Sequence, residues 1–207
     1  MTLILPKTSG EGIKVELAAP TYCFADIIGT QIFNTTGANA PAIAAFRGGN
    51  ARALKFIAND RMDYMFHLPH DYAPGTDIYA HVHWLHNGTA VTGNAAFKFD
   101  YTYAKGHNQA AYPAEKTQTI TYATTNIATT PQWQHRVDEV IISTSTGGGT
   151  ATLIDRAIFE PDGCLNLGFS LTTLPTITGG DLFVLTVDLH YQSTGIGTKA
   201  KAPNFYT

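Results

Sequence analysis

Alternation of apolar and polar residues is the feature that most constrains the fold of this chain. Residues 97–103, FKFDYTY, place an aromatic ring at every second position, with polar residues such as Asp100 between the rings. Side chains of a β-strand point to the two faces of a sheet in turn, so this period predicts a strand with one buried face. Residues 78–86 and 181–192 alternate in the same way. The three segments predict antiparallel strands, and Asp100 is expected on an exposed face.

Weaker runs of apolar and β-branched residues predict further strands. They cover residues 53–58, 63–68, 118–123, 135–143, 152–160 and 165–172. Turn-forming pairs such as Pro74-Gly75 and Asn87-Gly88 separate the runs and supply the backbone angles that chain reversals need. No run shows the long apolar stripe of period 3.6 that is typical of an α-helix. The chain is therefore predicted to be all-β, an antiparallel β-sandwich or jelly roll.

Residues 1–50 differ from the rest of the chain. Their last third, NTTGANAPAIAAFRGGN (34–50), is rich in Ala, Gly and Asn and has weak periodicity. We expect residues 1–50 to form an extended N-terminal arm that packs on a neighbouring molecule. We expect residues 51–207 to form a single β-sandwich domain, since such domains often reach this size without dividing. The start of the sequence also lacks the features of a signal peptide.

The low charge of the chain limits its partners. Charged residues make up 14% of the sequence and the formal net charge is −3, against about 25% charged residues in an ordinary soluble protein. Lysine and arginine do not cluster, so no nucleic-acid partner is expected. No apolar run reaches the ~20 residues of a membrane span, so no membrane partner is expected. Low charge suits a surface covered by other proteins, because fewer charges lose their hydration there.

Two histidines with strand spacing raise the question of a metal site. His81 and His83 are two residues apart in a predicted strand, so both leave the same face about 7 Å apart and can share an ion. His190, on the polar face of the last predicted strand, is the candidate third ligand. Its neighbour Asp188 would be a ligand or the carboxylate that orients an imidazole.

The metal-site hypothesis meets an objection in the sequence. Cupin-like enzymes place a glutamate soon after a His-x-His pair, and residues 77–98 contain none. Hydrolase, phosphate-loop and Cys-x-x-Cys motifs are also missing from the sequence. We therefore expect no catalytic residue, no cofactor and no bound metal, and we predict that the chain is not an enzyme. The histidines are interpreted as structural groups of a polar sheet face or of a subunit contact.

Other candidate residues are assigned structural roles. Asp138 and Glu139 are adjacent, so they point to opposite faces of a strand and are predicted to be surface charges instead of a catalytic pair. Trp84 falls on the apolar face of its strand and is predicted to pack in the core. Cys23 and Cys164 are predicted to be free thiols.

Two segments resemble virion structural proteins of tailed bacteriophages. Residues 42–88 contain His-Asp-Tyr before a Pro-Gly turn and then a His-Val-His-Trp strand, and residues 182–201 contain Asp-Leu-His-Tyr. The resemblance implies a small jelly-roll protein that decorates or cements a capsid. It also implies the major capsid protein as partner, a homo-oligomer with a trimer favoured, and a location on the capsid surface of a virion assembled in the host cytoplasm.

Two other functions remain open. A receptor- or carbohydrate-binding module of a fibre or tail would present exposed aromatic side chains in loops, and Tyr103, Tyr112 and Trp133 are the candidates. A cupin-like metal-dependent enzyme would use His81, His83 and His190. Exposure of the three aromatic side chains and the positions of the three histidines are therefore the structural features that separate these functions.

Overall fold

The protein is described by a computed structural model. It describes residues 3–4, 14–15, 22–32, 39–45, 47–122, 128–145, 147 and 149–195. Over these residues the chain forms β-strands and one short 3-10 turn, with no α-helix, and no helix there could cross a lipid bilayer. Cys23 and Cys164 are free thiols, as predicted.

The strands have the following bounds. They are β1 Leu3–Ile4, β2 Lys14–Val15, β3 Cys23–Ile28, β4 Thr30–Ile32, β5 Ala42–Ala45, β6 Arg52–Phe56, β7 Arg61–His67, β8 Tyr79–His86, β9 Ala90–Thr92, β10 Ala95–Ala104, β11 Lys116–Tyr122, β12 Arg136–Ile141, β13 Ser143–Thr144, β14 Ile154–Asp155, β15 Cys164–Thr173, β16 Thr176–Thr178 and β17 Leu182–Ser193. The 3-10 turn covers Arg156–Ile158.

Two antiparallel sheets form the body. Sheet I contains β12, β8, β17, β6 and β5 in that order, and β3 pairs with the second half of β17. Sheet II contains β11, β10, β15, β7 and β4 in that order. The last strand, β17, lies between β6 and β8, and β15 lies between β7 and β10, which is the strand exchange of a jelly roll. The predicted all-β sandwich is confirmed.

The core between the sheets is rich in aromatic rings. Trp84 of sheet I is buried and meets Phe97 of sheet II edge-on, with 5.9 Å between ring centroids. Phe169 contacts Phe56, Phe97 and Phe99. Burial of one such side chain contributes about 1.5–3 kcal/mol, so these contacts hold the two sheets together. The predicted core position of Trp84 is confirmed.

A β-bulge interrupts the predicted alternation of the last strand. The register between β17 and β8 shifts between Val184 and Thr186, which leaves Leu185 as the extra residue. Val184 and Val187 both face the core, whereas Leu185 lines a surface cleft. The uniform period of two predicted for residues 181–192 is therefore wrong at this point, although the polar face from Thr186 onward is as predicted.

The strand predicted for residues 152–160 is also wrong. Only Ile154–Asp155 forms a strand, and the 3-10 turn follows it directly. The side chain of Asp155 accepts a hydrogen bond from the backbone N–H of Ala157 at 2.9 Å. A carboxylate that satisfies backbone donors in this way favours a turn over continued strand pairing.

Residues 22–45 supply the strands at one edge of the sandwich, which we call the N-terminal edge (β3, β4 and β5). β3 pairs with β17 of sheet I, the chain crosses at Gly29, and β4 pairs with β7 of sheet II. A Cβ at Gly29 would lie 2.6 Å from the ring of Phe66, so the crossing requires glycine. β5 then pairs with β6. The predicted division at residue 50 stays a prediction, and most of residues 1–21 lie outside the described residues.

Candidate functional site: a histidine–carboxylate cluster

The outer face of sheet I carries imidazole and carboxylate side chains on neighbouring strands. Asp188 of β17 lies opposite His81 of β8, and His81 lies opposite Glu139 of β12. His83 and His190 leave the same face two residues further along their strands. We call this group, with the residues that contact it, the histidine cluster: Asp26, His81, His83, His135, Glu139, Asp188 and His190.

The three histidines singled out from the sequence lie in this one cluster. The rings of His81 and His190 are in contact, with centroids 3.6 Å apart, and the rings of His81 and His83 are 6.3 Å apart. Asp188 joins them, with its Oδ1 atom 2.7 Å from the Nε2 atom of His83. His190 also forms an ion pair with Asp26 of β3. The spacing in the sequence thus identified the right strands and the right face.

Neighbouring side chains contact one ring nitrogen of His81 and one ring nitrogen of His83. The Nε2 atom of His81 lies 2.7 Å from Oε2 of Glu139. The Nδ1 atom of His83 lies 2.8 Å from Nε2 of His135. These contacts fix both ring orientations, and the Nε2 atom of His83 faces Asp188.

The centre of the cluster contains a buried carboxylate in close contact with an imidazole. Asp188 is 4% exposed. Its Oδ1 atom and the Nε2 atom of His83 face each other at 2.7 Å, and neither atom has another hydrogen-bond partner among the described residues. None of the ion pairs among the described residues joins Asp188 to a lysine or arginine. A buried carboxylate without a cation is costly, so this arrangement favours the binding of a positive charge.

The environment of His83 favours its neutral form. Burial lowers the pKa of His83, and the neighbouring His135 and His81 lower it further, while the charge of Asp188 acts in the opposite direction. The result is a pKa below the ordinary value for histidine. Neutral imidazole is the form that offers a nitrogen lone pair to a metal ion.

Three overlapping sets of side chains bring potential ligand atoms within 4.8 Å of one another. Among the described residues these sets are His81–His83–Asp188, His81–Glu139–His190 and Asp26–Asp188–His190. Imidazole nitrogen and carboxylate oxygen are ligands that zinc and related transition metal ions prefer. The cluster therefore has the chemistry of a divalent cation site, built on the rigid face of a sheet.

A second group of histidines meets at Asp162, in the turn between the 3-10 turn and β15. The Nε2 atoms of His107, His70 and His67 lie 2.8, 2.9 and 3.3 Å from its carboxylate oxygens. Burial raises the pKa of Asp162, but the hydrogen bond from His107 and the charges of His70 and His67 outweigh it and lower the pKa. Sequence reasoning missed this group because the end of β7 with the loop after it (His67 and His70), the loop after β10 (His107) and the turn before β15 (Asp162) are distant in the sequence.

Two carboxylates predicted to be exposed are buried. Asp138 accepts hydrogen bonds from Nε1 of Trp84 at 2.6 Å and from Nε of Arg136 at 2.9 Å. Asp100 forms an ion pair with Nη1 of Arg61 at 2.6 Å. The predictions are wrong because donors from other strands, Arg61 of β7 and Trp84 of β8, bind these carboxylates, and the alternation within one strand does not reveal them. Glu139 is exposed on the opposite face from Asp138, as predicted.

The aromatic candidates for a sugar platform do not lie together. Tyr103 is buried and its hydroxyl donates to the backbone carbonyl of Glu160, so it lacks the exposure that the carbohydrate-binding alternative requires. Tyr112 is exposed beside Ala104 at the end of β10. Trp133 is half-buried and its backbone N–H donates to the carbonyl of His86, at the opposite end of the sandwich.

No protein-family model and no curated protein matches the chain. It resembles solved carbohydrate-binding structures. The CBM22-1–GH10 modules of xylanase 10B from Clostridium thermocellum, complexed with xylohexaose, are 12% identical with a TM-score of 0.37, and the match covers 86% of this chain and 27% of that chain. The chain thus spans about a quarter of that structure.

Two isolated modules give similar values. CBM28, a module specific for non-crystalline cellulose, is 12% identical with a TM-score of 0.35, and the match covers 79% of this chain and 85% of that chain. The family 11 module from Clostridium thermocellum, in complex with a mixed-linked tetrasaccharide, is 10% identical with a TM-score of 0.32, covering 84% and 92%. What this chain shares with these structures is the β-sandwich fold.

Proposed function

We propose that this protein is a structural component of a bacteriophage virion, a decoration or cement protein that binds the outer capsid surface as a homo-oligomer, with a trimer favoured. Its partner is the major capsid protein. The resemblance in residues 42–88 and 182–201 supports the proposal. The observation that carries it is the apolar N-terminal edge of the sandwich.

The N-terminal edge combines free strand edges with exposed aliphatic side chains. Ile28, Ile32, Ile43 and the adjacent Ile57 are between 45% and 78% exposed. Edge strands offer backbone N–H and C=O groups to a neighbouring chain, and proteins that stay monomeric usually protect them with charge. Asp26 is the single charged residue in 22–32 and 39–45. This edge therefore suits burial against another protein.

A cleft makes part of the N-terminal edge concave. It has a volume of about 310 Å³ and lies between β4 and the pair β5–β6, with Gln31, Ile43, Leu54 and Leu185 among its lining residues. The bulge in β17 places Leu185 there. A cleft of this size accommodates one or two side chains of a neighbouring subunit, which gives the contact a defined register.

Burial of the exposed isoleucines at this edge would contribute to the energy of a contact. Burial of one isoleucine contributes about 1.5–3 kcal/mol, and association costs about 4–15 kcal/mol in lost freedom of motion. Four such side chains, together with backbone pairing, offset much of that cost. The low charge of the surface adds little desolvation penalty. No catalytic group is needed for this role.

Co-sedimentation with capsids tests the proposal. Purified particles of the encoding phage that lack this protein are mixed with the wild type, with Ile28→Lys/Ile43→Lys, or with Leu174→Lys. Leu174 is also an exposed aliphatic residue, but it lies outside the N-terminal edge, so it is the matched control. We expect the wild type and the control to sediment with the particles and the double variant to lose most binding. Failure of the wild type to bind particles would overturn the proposal.

A further inference from the structure

We propose that the histidine cluster contains a binding site for one divalent transition metal ion, with Zn²⁺ the best fit, held by His81, His83 and Asp188. Water completes the coordination. The site lies beside the N-terminal edge, since Asp188 pairs with Ile28 of β3, but its three ligands come from β8 and β17 and it does not depend on the virion role proposed above. It also replaces the third ligand considered from the sequence, His190, with its neighbour Asp188.

The choice of these three ligands follows from the positions of their atoms. They form one of the sets whose ligand atoms lie within 4.8 Å of one another, and it is the most buried of the three sets. Asp188 and His83 meet at 2.7 Å through two buried atoms that have no other hydrogen-bond partner among the described residues. An ion between the three side chains would satisfy both atoms at once and neutralise the buried carboxylate.

The surrounding residues hold the ligands in the orientation that a metal ion requires. A histidine ligand normally has its second ring nitrogen bonded to a carboxylate or another polar group, which fixes the ring and its tautomer. Glu139 does this for His81, at 2.7 Å, and His135 does it for His83, at 2.8 Å.

Sheet pairing fixes the distances between the ligands. His81 and His83 leave the same face of β8, and Asp188 lies directly opposite His81 on β17. Side chains at such positions are about 5–7 Å apart at their Cβ atoms, which suits convergence of imidazole and carboxylate groups on one ion. Because both strands lie inside sheet I, the ligands are arranged before the ion binds.

The site is tested by titration of the untagged, metal-free protein with ZnCl₂ in a calorimeter, and with CoCl₂ followed by visible absorption. We expect one ion per chain, a visible Co²⁺ spectrum with an imidazole-containing set, and a rise in the thermal unfolding midpoint with Zn²⁺. Less than about a tenth of an ion per chain at saturating Zn²⁺ would overturn the proposal, whatever the oligomeric state or capsid binding of the protein.

Three variants identify the ligand set. We expect His83→Ala and Asp188→Asn each to weaken Zn²⁺ binding more than about 100-fold, since loss of a ligand exceeds the roughly 10–100-fold loss seen for outer partners. His190→Ala removes a ring that contacts His81 but no proposed ligand, so its loss should stay within the roughly 10–100-fold range of an outer partner. Circular dichroism of the metal-free variants checks that each is folded. Wild-type affinity in His83→Ala, or equal losses in His190→Ala, would contradict the assignment.

Discussion

Asp100 shows how a buried carboxylate is stabilised on this sandwich. It accepts hydrogen bonds from Arg61 at 2.6 Å and from the hydroxyl of Thr117 at 2.6 Å, and the ammonium of Lys98 is 2.9 Å away. Burial alone would raise the pKa of Asp100. The hydrogen bonds from Thr117, Lys98 and Arg61 outweigh burial, and its pKa lies below the ordinary value.

We expect Asp100→Asn to lower the free energy of unfolding at pH 7 by about 1–3 kcal/mol, since it leaves two cations without their shared carboxylate and Arg61 is part-exposed. The folded pKa is lower than the unfolded one, so ionised Asp100 stabilises the protein above the unfolded pKa. This contribution disappears as the pH falls through the folded pKa. Urea unfolding at pH 7 and at pH 3 should show a smaller difference between wild type and variant at pH 3.

Asp181→Asn is the control for this comparison. Asp181 is part-exposed and has one ion pair, 3.6 Å from Lys55, so its loss should cost less than about 1 kcal/mol. Equal effects of the two substitutions at pH 7 would contradict the role given to Asp100.

Some residue positions could be predicted from this sequence and others could not. The positions of His81, His83 and Trp84 followed from the alternation, because a strand fixes which face each side chain leaves. The burial of Asp100 and Asp138 did not follow, because their partners Arg61 and Trp84 come from other strands and strand pairing cannot be read from one segment.

At the scale of the strands, Gly168 allows one ion pair to cross a strand. β15 lies between β7 and β10, and Gly168 lies opposite both Asp63 and Asp100. A Cβ at Gly168 would overlap the guanidinium of Arg61. The absence of a side chain there lets Arg61 of β7 pass over β15 and reach Asp100 of β10.

We expect Gly168→Ala to displace Arg61 and to lower the free energy of unfolding by about 1–2 kcal/mol through loss of the ion pair. Because Gly168→Ala and Asp100→Asn remove the same interaction, the double variant should cost less than the sum of the two single variants. Urea unfolding of all four proteins gives this double-mutant cycle. Gly49→Ala, where a Cβ meets nothing within 4 Å, is the control. Strict additivity would show that Arg61 does not depend on Gly168.

Long strands were predictable and short ones were not. β8, β10 and β17 follow from strict alternation, since one face of each must be buried. The edge strands β3, β4 and β5 lack that pattern, because an edge strand buries little of either face. The bulge at Leu185 was equally hidden, since a bulge depends on the pairing of two strands and not on the composition of one.

At the scale of the whole molecule, the fold places two features side by side, since Asp188 pairs with Ile28 of β3. The N-terminal edge gathers strands from residues 22–45 on one side of the sandwich, and the histidine cluster lies on the outer face of sheet I. The all-β class was predictable from local patterns. The meeting of β8 and β17 that joins His81 to Asp188 was not, because 107 residues separate the two along the chain and only the topology brings them together.

We propose that copies of this protein associate with one another through the N-terminal edge. Size-exclusion chromatography with light scattering at micromolar concentration tests it most directly. We predict that the wild type has a molar mass that is a multiple of 22.3 kDa, with three chains favoured, and that Ile28→Lys/Ile43→Lys elutes as a folded single chain. A wild type that is a uniform 22.3 kDa monomer would contradict the claim.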